Sequence, residues 1–274
     1  HYPLRRQRQM CIRDSIRAAV PLSESAALES GEAMLTSDTT VTWDGGKVRG
    51  RRVLRLGAIE LSSTPVRPDP VRARHVALEA VRSGGLDVAS LTKNGESLRR
   101  RLALAHRVFG DPWPDVSDEA LLARAEEWLD LDALAAGRGS DATSGLRGLL
   151  GWRESARLDE VVPETITVPS GSRIRIDYPE PGSDTSPVLA VKLQECFGWA
   201  DGPTVCDGRV RVVLHLLSPA RRPLAVTDDL ASFWASVYPA VRVENRGRYS
   251  KHPWPEDPMT ATPTKRTNRA LRGN

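Results

Sequence analysis

"ETITVPSGSRIRIDY" fills Glu164–Tyr178. Ile174, Ile176 and Tyr178 alternate with Arg173, Arg175 and Asp177. That period of two marks a strand with one buried face. Pro169-Ser170-Gly171 supplies a turn before it. Beyond it, "VLAVKLQECFG" (Val188–Gly198) and "RVRVVLHLL" (Arg209–Leu217) read as two more strands. The stretch that precedes this segment has helical periodicity, so the chain reads as α+β.

Asp69-Pro70 signals a helix start. Val71, Leu78 and Val81 form its apolar stripe, with His75 on it as a part-buried structural histidine, and Gly84-Gly85 ends it. A second helix carries Leu98, Leu102, Ala105 and Phe109. Its other faces hold Arg99, Arg100, Arg101 and Arg107, either as a solvated face or as an RNA contact. A third starts at Ser117, with Asp118 and Glu119 where the helix dipole favours acids, and its stripe is Leu121, Ala125, Trp128 and Leu131. A fourth runs through Leu146, Leu149, Leu150 and Leu158.

Upstream of the helices, "TTVTWDGGKVRGRRVLRLGAIELSS" (Thr39–Ser63) alternates at Val41 and Trp43 and turns at Asp44-Gly45-Gly46. It reads as a hairpin or small meander. Near the other end, Thr227 is expected to cap a short amphipathic helix. Leu230, Phe233, Trp234 and Val237 form its apolar stripe, and Pro239 is expected to stop it. The opening "HYPLRRQRQMCIRDS" has no periodicity and reads as a translated sequencing adaptor, to be set aside. The expected organisation is 1–15 non-native, 16–66 a small OB-like β element, 67–160 helical, 161–240 a C-terminal β-rich domain with the amphipathic helix, and 241–274 a basic, proline-rich tail.

The net charge is +4, from 39 Lys and Arg against 35 Asp and Glu. The excess is concentrated in the tail, where eight basic residues meet three acids from Val241 onward. Such a tail either meets a polyanion, nucleic acid by default, or is a solvated extension. Three cysteines without CxxC spacing make no disulfide framework and no zinc pattern. Reduced thiols fit a cytoplasmic setting. No apolar run approaches the ~18 residues that span a bilayer, so no membrane partner is expected. There is no GxxxxGK[ST] loop, GxSxG or HExxH. No catalytic residue and no metal site are assigned.

Three segments carry a resemblance: "VLAVKLQECFG", "GRVRVVLHLLSPARRPLAVTDDLASFW" and "GRYSKHPWPEDPMTATPTKRTNRA". They resemble the C-terminal region of bacterial HrpB-type ATP-dependent RNA helicases of the DEAH-box group, and the likeness runs from Ile16 to Arg269. Ser250 departs from the proline usual in that family. The resemblance implies that ATP and Mg²⁺ belong to RecA-like motor domains outside this segment, and that the segment has no cofactor and no catalysis of its own. Its partners would be RNA, taken as single-stranded, and the missing RecA-like core. The alternative is a protein-interaction module that scaffolds the core without touching RNA. The candidate RNA contacts are Arg248, Tyr249, Lys251, Lys265, Arg266 and Arg269. Tyr249 either stacks on a base or, with Trp254, pins the tail to the β domain.

Overall fold

The structure, a computed structural model, describes residues 21–139 and 142–272. The adaptor-like opening and Cys11 lie outside them. The described chain forms two compact units, one comprising 21–42 and 49–69, the other 43–48, 70–139 and 142–272.

The first unit starts with α1 (Glu24–Ser30), capped by the Ser23 hydroxyl, which accepts from the Ala26 N–H. Three strands follow: β1 (Leu35–Asp44), β2 (Lys47–Leu56) and β3 (Ile59–Val66), in the order β1-β2-β3. Gly45 and Gly46 take the positive φ that a two-residue hairpin turn requires. β2 and β3 are antiparallel, with a register shift between Leu54 and Arg55. Among the described residues this β element is a three-stranded meander, whereas a complete OB barrel has five strands.

The second unit opens with α2 (Pro70–Gly84), which buries Ala73, Ala77, Leu78 and Val81. Val71 and His75 are exposed, contrary to the sequence reading. The packed stripe follows the 73-77-81 row, and Val71 lies in the open first turn. Next comes α3 (Lys93–Phe109), capped by Thr92, whose hydroxyl accepts from the Gly95 N–H. Gly110, at φ 66°, ends it.

The expected helix from Ser117 to Leu131 is broken into α4 (Asp118–Ala123), α5 (Ala125–Trp128) and α6 (Leu131–Ala135). Ser117 caps α4 as expected. The Trp128 indole N–H donates to the Leu121 carbonyl at 2.9 Å, the acceptor that Ala125 would use in a continuous helix. Asp130 restarts the chain by accepting from the Ala133 N–H. The fourth expected helix is also two, α7 (Thr143–Gly148) and α8 (Trp152–Val161), separated at Gly151.

At Gly145 of α7, an added Cβ would lie 1.8 Å from the Trp128 carbonyl oxygen. That neighbour is backbone and cannot swing aside. Gly145→Ala is therefore expected to cost about 1–3 kcal/mol by overpacking, measured by denaturant unfolding against wild type.

The β-rich part begins with the hairpin β4 (Thr165–Thr167) and β5 (Arg173–Arg175), with Ile166 opposite Ile174. β6 (Val188–Lys192) follows, and then the small hairpin of β7 (Thr204–Val205) and β8 (Val210–Arg211). β9 (Val213–Leu217) pairs parallel with β6, and β10 (Pro223–Thr227) pairs antiparallel with β9. The sheet order is β10-β9-β6. Leu189, Val191, Leu214 and Leu216 are buried on it.

The amphipathic helix differs from its sequence reading. Thr227 ends β10, and Asp229 caps α9 (Leu230–Ser232) by accepting from the Ser232 N–H at 3.0 Å. Phe233–Val237 form a wider π turn, in which the Tyr238 N–H reaches back to the Phe233 carbonyl. The chain then continues as α10 (Tyr238–Arg248). Pro239 therefore does not end the helix. It lacks an N–H, and the turn before it absorbs the missing bond. The extra residue rotates the stripe: Val237 is 45% exposed, and Tyr238 takes its place in the core at 1%. Tyr238 packs edge-on against Trp234, ring centroids 5.4 Å apart.

Candidate nucleic-acid interface

The segment after α10 is held to the β domain at several points. The Tyr238 hydroxyl donates to the Pro255 carbonyl at 2.8 Å, and burial pushes that phenol up to about 12. The Arg242 Nε donates to the Trp254 carbonyl at 2.9 Å, and its Nη2 meets Glu256 at 3.0 Å. The Trp254 indole N–H donates to the Tyr249 carbonyl. Further along, the Gly198 N–H donates to the Pro258 carbonyl, and the Thr264 N–H to the Gln194 carbonyl. The segment is a strap rather than a free tail, with the extended run around Pro253, Pro255 and Pro258 as its stiff middle.

The strap brings part of the predicted set together. α11 (Asn268–Arg272) is anchored where the Asn268 N–H donates to the Lys251 carbonyl at 2.8 Å and its Nδ2 to the Ser250 carbonyl at 3.3 Å. Arg269 is thereby placed beside the Arg248–Lys251 turn. Lys265 and Arg266 follow Thr264, whose hydroxyl accepts from the Arg266 N–H. Arg248, Lys251, Lys265, Arg266 and Arg269 are all exposed. Tyr249 is half-buried, with the Arg248 guanidinium 5.7 Å from its ring centroid. One ring face is thus already occupied by a cation.

Sequence reasoning missed two members. His252 lies in the same turn, and burial, followed by the field of Lys192 on β6, holds its pKa below the usual histidine value. Lys192 therefore belongs to the same basic surface. Because the folded state resists protonating His252, the unfolded chain binds the proton more readily, and stability falls as pH drops through the ordinary histidine range near 6.5. His252→Gln is expected to flatten that limb of a melting temperature-versus-pH curve.

The other arginine group behaves differently. Arg99 and Arg101 of α3 are only 7% and 4% exposed. The Arg99 Nε donates to the Val116 carbonyl at 2.9 Å, and its Nη2 meets Asp118. The Arg101 Nε donates to the Val162 carbonyl at 2.6 Å, and its Nη2 meets Asp159. Arg100 pairs with Glu180 and Glu96, and Arg107 donates to the Ser183 and Thr185 carbonyls. For Arg99 and Arg101 both sequence readings, a solvated face and an RNA contact, are corrected by burial, whereas Arg107 is exposed, as the solvated-face reading had it. These guanidiniums cross-link α3 to segments on either side.

A cavity of about 290 Å³ beside α3 is lined by His106, Asp115 and Ser117, among others. Each of the three is used locally. The His106 Nδ1 bonds the Trp113 carbonyl at 2.7 Å, Asp115 accepts from the Ser117 N–H, and the Ser117 hydroxyl caps α4.

Comparison with known proteins places this architecture. The family described as ATP-dependent helicase C-terminal (HrpB_C) matches residues 125–258. The ATP-dependent RNA helicase HrpB of Escherichia coli (strain K12) is 41% identical over 245 residues, covering 86% of this chain and 30% of that protein. The crystal structure of the E. coli DExH-box NTPase HrpB superposes with a TM-score of 0.67 at 39% identity, over 90% of this chain and 31% of that one. A second crystal structure, of the Escherichia coli DEAH/RHA helicase HrpB, gives a TM-score of 0.58 over 81% of this chain and 29% of that one. The chain thus spans about 30% of the length of these relatives. By family model, by sequence and by structure, the chain is similar to the C-terminal portion of the HrpB-type helicases.

Proposed function

We propose that this region is an accessory module of an ATP-dependent RNA helicase, in which the strap and α11 hold the RNA backbone while the second unit docks on RecA-like motor domains. ATP and Mg²⁺ would act in those motor domains. The observation that carries the reading is a contrast in pairing. Every arginine among Arg99, Arg100, Arg101 and Arg107 has an anionic or carbonyl partner. Among the described residues, no carboxylate pairs with Lys192, Arg248, Lys251, Lys265, Arg266 or Arg269. Cations left unpaired on one surface are available to phosphates.

Because Arg248 covers Tyr249, phosphate contacts supply most of the grip and base stacking supplies little. The single-stranded form is the proposed substrate, since a helicase motor delivers separated strands to its accessory region.

The test is fluorescence anisotropy of a short single-stranded RNA with this chain, titrated with salt. Binding that weakens steeply with salt is expected. A folded chain that binds no RNA at low salt would leave docking on the motor domains as its role and refute the RNA contact.

A further inference from the structure

We infer that the second unit also carries a docking groove for a basic, apolar-anchored segment of a protein partner. A cavity of about 430 Å³ lies between α9 and the strap, and a second of about 200 Å³ adjoins it through Ala200 and Ala231. The groove floor is apolar. Ala200, Ala231 and Ala235 are exposed, and their small side chains leave room above Trp234 and Met259. The walls are acidic, with Glu256 and Asp257 on the strap side and Asp201, Asp228 and Asp229 on the other. Arg211 is the one cation among the lining residues, and Arg242 reaches Glu256 from beside the groove.

Five carboxylates around an apolar floor stand out in a chain of net charge +4. This field repels nucleic acid, so the groove is separate from the basic surface. It matches a segment whose lysines or arginines flank one or two large apolar side chains. The apolar side chains would fill the space over Trp234, and the cations would meet the walls. The carboxylates give orientation and on-rate, and the burial over Trp234 gives residence time.

The probe is a fluorescein-labelled peptide alternating Lys and Leu, compared with a Lys–Ser peptide of equal length and charge. The full chain is expected to bind the first and not the second. Ala235→Arg places a cation on the floor, and Asp228→Lys reverses one wall. Each is expected to weaken Lys–Leu binding by at least ~10-fold, since like charges brought together cost that much or more. Thermal melts of both variants check the fold, and having two keeps the test decisive if one unfolds. RNA binding is expected to be unchanged in both, which separates this groove from the RNA reading. Equal binding of the two peptides, or wild-type peptide affinity in a folded variant, overturns the proposal.

Discussion

Charge reversal at Lys265 and Arg266 together is expected to lower single-stranded RNA affinity at least ~10-fold at low salt while leaving the melting temperature unchanged. Both side chains are exposed and neither pairs with a carboxylate among the described residues, so the fold loses little. Single strands release about 0.7 counterion per phosphate contact. The slope of log affinity against log salt should therefore flatten by roughly 1.4 if each residue neutralises one phosphate. The loss should be uniform across RNA sequences, because phosphate contacts carry no base information. A loss confined to one sequence, or an unchanged salt slope, contradicts the assignment. Lys192→Glu, on a strand far away in sequence, is expected to act in the same direction. Arg211→Glu, in the acidic groove, is the matching control.

Arg101→Ala is expected to destabilise the chain by about 3 kcal/mol. The guanidinium is 4% exposed and donates to the Val162 carbonyl at 2.6 Å. Truncation leaves that carbonyl without its donor and opens a void between α3 and the end of α8. An acceptor stranded in the interior costs ~1–3 kcal/mol by itself, and the void adds to it. In a domain of this size the change corresponds to roughly 6–12 °C in melting temperature. Arg101→Lys should recover little, since an ammonium cannot reproduce the two-pronged geometry. Arg100→Ala makes the contrast: its ion pairs are part-exposed, and the expected loss is below ~1 kcal/mol. A melt showing Arg101→Ala equal to wild type would return α3 to the status of a solvated arginine face.

These arginines also show where the sequence stops being legible. The alternation in Glu164–Tyr178 exposed the β4–β5 hairpin directly, because period two has one structural meaning. Turn chemistry at Gly45-Gly46 and the Ser117 cap were equally local signals. A buried arginine has no such signature. On an amphipathic helix a charged residue is exposed by default, and the acceptors that overturn this are 17 and 61 positions away, at Val116 and Val162. The broken third helix was hidden for the same reason. Its stripe was read correctly at Leu121, Ala125 and Trp128, but the Trp128 indole captures a backbone carbonyl that periodicity assigns to the helix. The candidate interface was half visible. The basic residues of Arg248–Arg269 stood out in composition. Lys192 did not, since "VLAVKLQECFG" reads as a strand with one ordinary cation, and only the fold places it against His252.

The strap has a temporal consequence as well. Residues 188–248 hold the sheet and its aromatic core, yet the Tyr238 hydroxyl, the Gly198 N–H and the Gln194 carbonyl find their partners in Pro255, Pro258 and Thr264. During synthesis the sheet leaves the ribosome before the groups that complete it. The nascent chain must therefore wait with polar backbone unsealed and the Tyr238 hydroxyl unpaired until residues 255–264 clear the exit tunnel. A premature stop at Arg248 would preserve every strand among the described residues and still deliver a domain without its closure, marked for the cell's proteases.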